Sequence, residues 1–196
     1  MADTPKKDGP EEIVFQGKMI EVVHQPMRHN GTIQMYEWAH RAPGVRIIIP
    51  DYETKELILT REYRAELDAF DIRLPGGKVF DSLKQWNQHK QTDEDIESIA
   101  LEKVKEEGLE EAGIVIEDAS LFRVSKNGAM MHWDLLYFVA DKWHEHEDGA
   151  QHQEFEQGVT SVARYKFDEV EKLLRDGSIS EDRSVAALVR WLGQQN

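Results

Sequence analysis

The chain has 196 residues, no cysteine and a formal net charge of −14 at pH 7. The acidic balance argues against a nucleic-acid backbone as partner, because binding it needs a basic face. The lack of cysteine excludes disulfides, thiol nucleophiles and thiolate metal sites. No apolar run approaches the roughly 18 residues of a membrane span, and the polar N-terminus lacks the core of a secretion signal, so we expect a cytoplasmic protein. A phosphorylated substrate would have to be held through a local basic patch or a bound cation.

The first part of the chain has the pattern of an antiparallel sheet. Residues 1–12 are polar and predict a disordered tail. The strand-like runs at residues 18–23 and 32–38 flank Asn30-Gly31, a dipeptide typical of tight hairpins. We therefore predict a small sheet over residues 13–42. The alternative is that these strands simply begin a single α+β domain.

Two buried strands and a glycine loop follow. The β-branched runs at residues 45–49 and 56–60 are joined by a short polar turn, which predicts a hairpin. The second run leads through Arg61 and Arg64 to the sequence Leu-Pro-Gly-Gly-Lys at residues 74–78. This sequence predicts the end of a strand that enters a glycine loop.

The next stretch predicts helix. Residues 79–93 are polar and contain one tryptophan but no glycine or proline, which predicts a short helix or an ordered loop. From Ile96 to Val104 the apolar residues follow helical spacing, and the acidic residues just before them favour the helix dipole. Gly113 is a typical helix end, so we predict one helix of about 18 residues.

Four carboxylates lie close together near the end of this helix. They belong to Glu106, Glu107, Glu110 and Glu111. Residues four apart share a helix face, so these side chains stack in two pairs that repel each other. A hard divalent cation such as Mg²⁺ or Mn²⁺ reverses that argument, because it needs oxygen ligands and is usually held by a few carboxylates and substrate phosphates. The pattern therefore predicts a metal site, and the alternative is a solvated acidic face.

The rest of the chain alternates strands with helices. We predict strands of one mixed sheet at residues 114–116, 121–125, 133–140 and 159–167. A helix at residues 168–175 should end before Gly177, and Ser180 is the expected cap of a last helix that runs through Trp191. Residues 141–158 mix histidines with acids, which allows either a zinc site or a solvated acidic loop.

The glycine loop and the acidic helix together resemble the Nudix box of the Nudix hydrolases. That box reads Gly, five residues, Glu, seven residues, then Arg-Glu-aliphatic-any-Glu-Glu-any-Gly-aliphatic. The residues in register with it are Gly77, Glu107, Glu110, Glu111, Gly113 and Ile114. Three features depart from the pattern: residues 79–93 are an insertion, Glu106 replaces the arginine, and Gly108 replaces the aliphatic residue.

The elements before the box are similar to those of the Nudix enzymes that cleave ADP-ribose and nucleotide sugars. They share a Tyr-Arg pair, here Tyr63-Arg64, a Leu-Pro-x-Gly-Lys entry to the box and a preceding small sheet. The resemblance implies an α+β fold, an α/β/α Nudix sandwich with a mixed sheet at residues 43–196, preceded by a small antiparallel N-terminal sheet. In that subgroup this sheet is exchanged between subunits, so a homodimer formed through residues 13–42 is also implied.

The resemblance further implies a reaction and a site. The reaction is Mg²⁺- or Mn²⁺-dependent hydrolysis of the pyrophosphate bond in ADP-ribose or a nucleoside diphosphate sugar, giving a nucleoside monophosphate and a sugar phosphate. The implied metal ligands are the backbone carbonyl of Gly76 and the side chains of Glu107, Glu110 and Glu111. Glu154 or Glu156 would be the base, with Glu110 as a further catalytic carboxylate. Arg64, with Arg61 beside it, would bind substrate phosphate.

Glu106 leaves alternatives open. The arginine of the family holds a catalytic glutamate in place by charge, whereas a carboxylate at this position adds repulsion. Either Glu106 binds metal itself, or Lys84 or Lys90 of the insertion takes the missing role, or the site is impaired. The rival function is therefore a non-catalytic nucleotide-binding or regulatory Nudix domain, and a third reading is an acidic interaction module without a ligand.

Overall fold

The computed structural model describes residues 4–152, 154 and 157–195, which form two compact units. The N-terminal unit comprises the chain up to Pro43 together with Lys78–Glu94 and Lys126–Asp134. The main unit comprises Gly44–Gly77, Asp95–Ser125 and the chain from Leu135 onward. The insertion therefore belongs to the N-terminal unit, although the acidic helix that follows it belongs to the main unit.

The elements are numbered in chain order. The strands are β1 (Lys6–Lys7), β2 (Glu12–Gln16), β3 (Ile20–His29), β4 (Thr32–Arg41), β5 (Gly44–Asp51), β6 (Glu56–Arg64), β7 (Ala69–Arg73), β8 (Ile114–Lys126), β9 (Met131–His132), β10 (Asp134–Glu145) and β11 (Thr160–Lys166). The helices are α1 (Leu83–His89), α2 (Ile96–Ala112), α3 (Phe167–Asp176) and α4 (Asp182–Leu192). Within the described part of the chain, no helix combines the length and the apolar character that crossing a membrane requires.

The sheet of the N-terminal unit is centred on β3. This strand pairs antiparallel with β4 along one edge and with β1 and β2 along the other, and β9 adds to β4 in parallel. The chain turns between β3 and β4 at Asn30 and Gly31, which both have positive φ angles (48° and 76°). These angles confirm the predicted hairpin. The short strand β1 lies inside the segment predicted to be a tail, and it pairs with Met27 and Arg28.

The insertion contains a short helix, which was one of the two predicted possibilities, the other being an ordered loop. α1 begins after Ser82, whose hydroxyl accepts a hydrogen bond from the backbone N–H of Gln85 at 3.3 Å. The Trp86 ring stacks on His89 with 5.5 Å between ring centres and lies 5.4 Å from the ring of Phe80. These rings give the insertion a packed centre of its own.

The main unit is built on a six-stranded sheet. Its order is β11-β6-β5-β10-β8, and β7 pairs with the end of β6. β5 and β10 are parallel, whereas β6 is antiparallel to β5, β7 and β11, so the sheet is mixed and the predicted β5–β6 hairpin is confirmed. The buried centre consists of aliphatic and aromatic side chains that are at most 1% exposed. They include Val45, Ile47, Ile48, Ile49, Leu57, Leu59, Leu135 and Phe138.

α2 has 17 residues, close to the predicted length, and it packs against this sheet. It begins after Asp95, whose carboxylate accepts a hydrogen bond from the N–H of Glu97 at 3.3 Å. It ends at Gly113, where φ is 67°, the left-handed conformation that glycine adopts without strain. Four of the buried residues of α2 are small or apolar, and the fifth is Glu107. A glutamate is rarely buried unless it is paired, so this position marks a special site.

Two boundaries predicted from the sequence are wrong. Residues 114–126 form the single strand β8 rather than two strands, because the polar Glu117 in its middle pairs with Lys142 and His144 on the neighbouring strand β10. The cap of α4 is Glu181 rather than Ser180. Ser180 instead donates its N–H and its hydroxyl to the buried carboxylate of Asp71, at 3.0 and 2.7 Å.

Candidate active site

The glycine loop runs alongside the start of β5. The N–H groups of Val45 and Ile47 donate to the carbonyl oxygens of Gly77 and Pro75, each at 2.9 Å. Gly76 has a φ of 144°, and a Cβ atom at this residue would lie 2.3 Å from the carbonyl oxygen of Val45. Glycine is therefore required here, because any side chain would strain the backbone and displace β5.

Two carboxylates of α2 reach this loop. The N–H of Gly76 donates to Glu111 Oε2 at 2.6 Å. Glu107 lies so close to Gly77 that a Cβ atom there would be 2.0 Å from Oε1 of Glu107. Glu107 and Glu111 are one helical turn apart, so α2 presents both to the loop. The structure thus brings three predicted site residues, Gly76, Glu107 and Glu111, together across the insertion.

Replacing the two glycines by alanine is expected to have different effects. Gly76→Ala puts a methyl group against the backbone of β5 at a φ that alanine rarely adopts, so the free energy of unfolding should fall by about 2 kcal/mol or more. Gly77→Ala meets only the terminal carboxylate of Glu107 and no backbone, so a shift of that side chain can make room and the fall should be smaller, below about 1 kcal/mol. Urea unfolding measures both, and equal losses would contradict this account of the loop.

Glu111 lies in a strongly negative environment. Burial raises the pKa of its carboxyl group to about 8, and the charges of Glu62 and Glu107 add to the rise. The hydrogen bond from Gly76 and the charge of Arg46 act in the opposite direction but do not offset it. Burial and the two neighbouring carboxylates therefore both disfavour the charged form of Glu111.

Both substitutions inside the predicted box have structural explanations. The Glu106 side chain is 61% exposed and pairs with Lys103 at 3.0 Å. Gly108 is buried, and a Cβ atom there would lie 2.6 Å from Cδ1 of Ile116. Ile116 thus fills the space that an aliphatic residue at position 108 would take. The half-buried Glu110 lies on the same helix as these residues.

Lys103 also contacts Glu107. Its Nζ lies 3.3 Å from Glu107 Oε1, and its side chain is 25% exposed. Burial alone would lower the pKa of Lys103, but the hydrogen bond to Glu106 and the charge of Glu107 raise it overall. The cations that the sequence offered for this role, Lys84 and Lys90, belong to the insertion, where Nζ of Lys90 lies 5.6 Å from the ring centre of Trp86.

A buried ion-pair network ties the glycine loop to α4. Arg46 donates through Nη1 to the carbonyl oxygen of Gly76 and through Nε to the carboxylate of Glu181, each at 3.0 Å. Glu181 also pairs with Arg73 at 3.2 Å, and Arg73 pairs with Asp71 at 2.9 Å. Burial alone would raise the pKa of Glu181, but the charge and the hydrogen bond of Arg46 lower it to about 2.

Four residues of this site were not predicted from the sequence: Arg46, Glu62, Lys103 and Glu181. Arg46 carried a usable signal, because it is a charged residue in the otherwise apolar run 45–49, and a charge in a buried strand needs a partner. Glu181 carried none, since it lies 135 residues from Arg46 in sequence. Only the folded chain identifies such a pair.

The two candidate arginines of β6 lie on opposite faces of the sheet. Side chains alternate along a strand, so Arg64 shares the face of Glu62, which it contacts at 3.6 Å, whereas Arg61 points the other way. The guanidinium of Arg61 lies 3.8 Å from the ring centre of Phe70. The charge of Glu62 acts on Glu111, so Arg64, which shares the face of Glu62, lies on the side of the sheet that faces Glu111.

The acidic loop that follows β10 starts against the end of α2. The N–H of His146 donates to the carbonyl oxygen of Gly113 at 2.9 Å, and that of Gln151 to the carbonyl oxygen of Leu109 at 3.4 Å. Glu154 lies a few residues further on, in an exposed turn. The other candidate base, Glu156, lies outside the described residues.

Over residues 4–152, 154 and 157–195, no group of three or more histidine, aspartate or glutamate side chains is placed to hold a metal ion. The alternative of a zinc site in the loop at 141–158 therefore gains no support. His144 pairs with Glu117 at 3.2 Å, and the ring of His146 accepts a hydrogen bond from the N–H of Asp148 at 3.3 Å. A magnesium site does not need a closed cage, because this ion is usually held by one or two carboxylates together with water and substrate phosphates.

Comparisons with known proteins identify the fold. Neither the models of protein families nor the curated proteins include a match to this sequence. A solved structure described as an ADP compounds hydrolase matches with a TM-score of 0.74 and 20% sequence identity, over 100% of this chain and 98% of that chain. This likeness confirms the predicted α+β fold, in which a small sheet precedes a unit built on a mixed sheet.

Proposed function

We propose that this protein is a Nudix pyrophosphatase. It uses Mg²⁺ or Mn²⁺ to hydrolyse the pyrophosphate bond of ADP-ribose or a nucleoside diphosphate sugar, and it releases a nucleoside monophosphate and a sugar phosphate. The observation that carries the proposal is the convergence of Glu107 and Glu111 on the glycine loop. The fold shared with an ADP compounds hydrolase supports an ADP-linked substrate.

The divalent ion would be held by the carboxylates of Glu107 and Glu111 and by the carbonyl oxygen of Gly76, and water and substrate phosphates would complete its coordination. Glu110 is the further ligand that the resemblance implies. These hard oxygen donors suit Mg²⁺ and Mn²⁺, and a bound cation would favour the charged form of Glu111 that burial and the neighbouring carboxylates disfavour. The carbonyl of Gly76 accepts one hydrogen bond from Arg46, which leaves a second lone pair for a ligand. When bound, the ion would supply charge neutralisation at the diphosphate and acidify a water molecule.

A loop glutamate would accept the proton from the attacking water. Glu154 is the candidate within the described residues, because its loop is anchored to the end of α2. Glu156 and Glu110 are the other carboxylates proposed for catalysis. We expect Glu154→Gln to lower kcat by roughly tenfold or more with no change in Mn²⁺ affinity. A wild-type kcat in Glu154→Gln would show that Glu154 is not the base and would leave Glu156 and Glu110 as the candidates.

Arg64 would neutralise substrate phosphate, and the geometry favours it over Arg61. We expect Arg64→Gln to raise KM by roughly tenfold, because a guanidinium–phosphate contact is lost, while kcat changes little. Arg61→Gln is the matched control on the opposite face of β6, and its KM should stay within about twofold of the wild type. Steady-state kinetics compare the two variants, and equal rises in KM would contradict the assignment.

The N-terminal sheet is proposed to join two copies of the chain. Large apolar side chains on β2 and β4 are exposed, among them Ile13 (53%), Phe15 (53%), Ile33 (51%) and Met35 (55%). Exposed apolar groups of this kind are typical of protein interfaces. Sedimentation at micromolar concentration should give twice the chain mass of 22.7 kDa. A wild-type monomer would contradict the proposal, and Met35→Glu should weaken the dimer.

The hydrolase proposal is tested by incubating the purified protein with ADP-ribose and a set of nucleotide sugars and dinucleotides. Product release should require Mg²⁺ or Mn²⁺ and should stop when EDTA is added. Detection of a nucleoside monophosphate would identify the pyrophosphate bond as the bond cleaved. Tight binding of these compounds without turnover would instead favour the non-catalytic nucleotide-binding domain, and neither binding nor turnover would reject both.

A further inference from the structure

We propose that Lys103 is a positioning residue that orients the carboxylate of Glu107. This proposal rests on the proposed metal-dependent hydrolysis, and it names the group that replaces the positive charge missing at position 106. The cation comes from one turn earlier on the same helix.

The contacts of Lys103 carry this assignment. Its Nζ lies 3.3 Å from Oε1 of Glu107, four residues later, and 3.0 Å from Oε2 of Glu106, three residues later. Residues at these spacings face each other on a helix, so the arrangement follows from the backbone of α2. The Glu107 side chain is 10% exposed, whereas that of Glu106 is 61% exposed. Lys103 therefore bridges a buried carboxylate and a surface carboxylate.

This bridge restricts the orientation of Glu107. One side of its carboxylate faces the backbone of Gly77, as the 2.0 Å approach of a Cβ atom there shows. The ammonium group holds Oε1 on that same carboxylate. The ion pair therefore restrains the side chain of Glu107 from one side while the glycine loop restrains it from the other. Glu106 in turn restrains Lys103, so the acidic residue at position 106 is connected to the site through this lysine.

The arrangement has two opposite effects on a divalent cation. Lys103 repels the cation, because it places a positive charge beside a proposed ligand atom. It also fixes the rotamer of that ligand, which favours a single productive arrangement of the site. Loss of the ammonium group should therefore strengthen cation binding and slow turnover at the same time. A lysine that only stabilised the helix would produce neither change.

The test compares three variants of the full-length protein. Lys103→Met removes the charge at similar length, Lys103→Arg restores a cation, and Lys105→Met is the control. Lys105 lies on the same helix and pairs with Glu102 at 2.9 Å. Electron paramagnetic resonance measures Mn²⁺ affinity, steady-state assays give kcat and KM, and thermal unfolding verifies that each variant is folded.

For Lys103→Met we expect Mn²⁺ binding that is about threefold to tenfold tighter and a kcat that is at least about tenfold lower, with little change in KM. Lys103→Arg should restore kcat to within about threefold, and Lys105→Met should match the wild type in both measurements. Wild-type kcat in Lys103→Met, or an equal loss in Lys105→Met, would overturn the proposal.

The two proposals fail in different ways. If the wild-type protein hydrolyses none of the tested compounds, the hydrolase proposal fails, and the Mn²⁺ titrations alone decide the role of Lys103. Tighter Mn²⁺ binding in Lys103→Met than in Lys105→Met would still support the contact with a ligand carboxylate. Equal affinities in the wild type and Lys103→Met would reject it.

Discussion

Glu111→Gln is expected to lower the hydrolytic rate by at least about tenfold and to leave the fold intact. The amide keeps the size of the side chain but removes the negative charge proposed to bind the metal. The fold should survive, because burial and the charges of Glu62 and Glu107 raise the pKa of Glu111 to about 8. The carboxyl group is then largely neutral at pH 7 without metal, and glutamine resembles that form.

The matched control for this variant is Glu102→Gln. Glu102 lies on the same helix, its side chain is 70% exposed, and it pairs with Lys105 rather than with the glycine loop. We expect wild-type activity and stability from it, because exposed ion pairs contribute little. Activity assays with Mn²⁺ and thermal unfolding compare the variants. Wild-type activity in Glu111→Gln would remove the basis for the proposed metal site.

Glu181→Gln is expected to cause the largest loss of stability, about 3 kcal/mol in the free energy of unfolding at pH 7. The Glu181 side chain is 13% exposed and forms ion pairs with Arg46 (3.0 Å) and Arg73 (3.2 Å). Removing its charge leaves two guanidinium groups in the interior without their shared anion, and buried charges that lose a partner are costly. Urea unfolding of the main unit measures the loss.

The pH dependence of stability gives a second test of this ion pair. Arg46 lowers the pKa of Glu181 to about 2, below the value of 4.5 for a free glutamate. The stabilisation is therefore fully present above about pH 4.5 and disappears as the pH falls toward 2. Glu181→Gln should lose this part of the acid dependence. The control is Glu171→Gln on α3, an exposed partner of Arg175, which should unfold like the wild type.

The fold could be predicted from local patterns wherever hydrophobic spacing and turn residues agreed. The hairpin at Asn30-Gly31, the long acidic helix and its end at Gly113 all depend on short-range physics. The predictions failed where a long-range contact overrode the local preference. Glu117 and Asp118 interrupt the apolar pattern of β8, but partners on β10 keep the strand continuous. Serine is a good capping residue, but the hydroxyl of Ser180 instead donates a hydrogen bond to the buried carboxylate of Asp71.

The candidate site was predictable in the carboxylates of α2 but not in the charged residues that surround them. Glu107 and Glu111 follow from helical spacing, whereas Arg46 and Glu62 come from strands that are distant in sequence from α2. Lys103 is closer, and its i, i+4 spacing to Glu107 was visible in the sequence. A cation was expected from the insertion because the family pattern has an arginine where this chain has Glu106. The structure shows that Lys103, one helical turn before Glu107, reaches the carboxylate of Glu107.

The insertion leaves the main unit after Gly77 and the chain re-enters it at Asp95. The loop is held to α2 by the hydrogen bond from Gly76 to Glu111 and to β5 by the one from Val45 to Gly77, and not by the peptide between Gly77 and Asp95. The length of that peptide therefore does not set the position of the α2 carboxylates against the loop. Variants in which α1 is shortened or extended should therefore keep the carboxylates of Glu107 and Glu111 against the glycine loop.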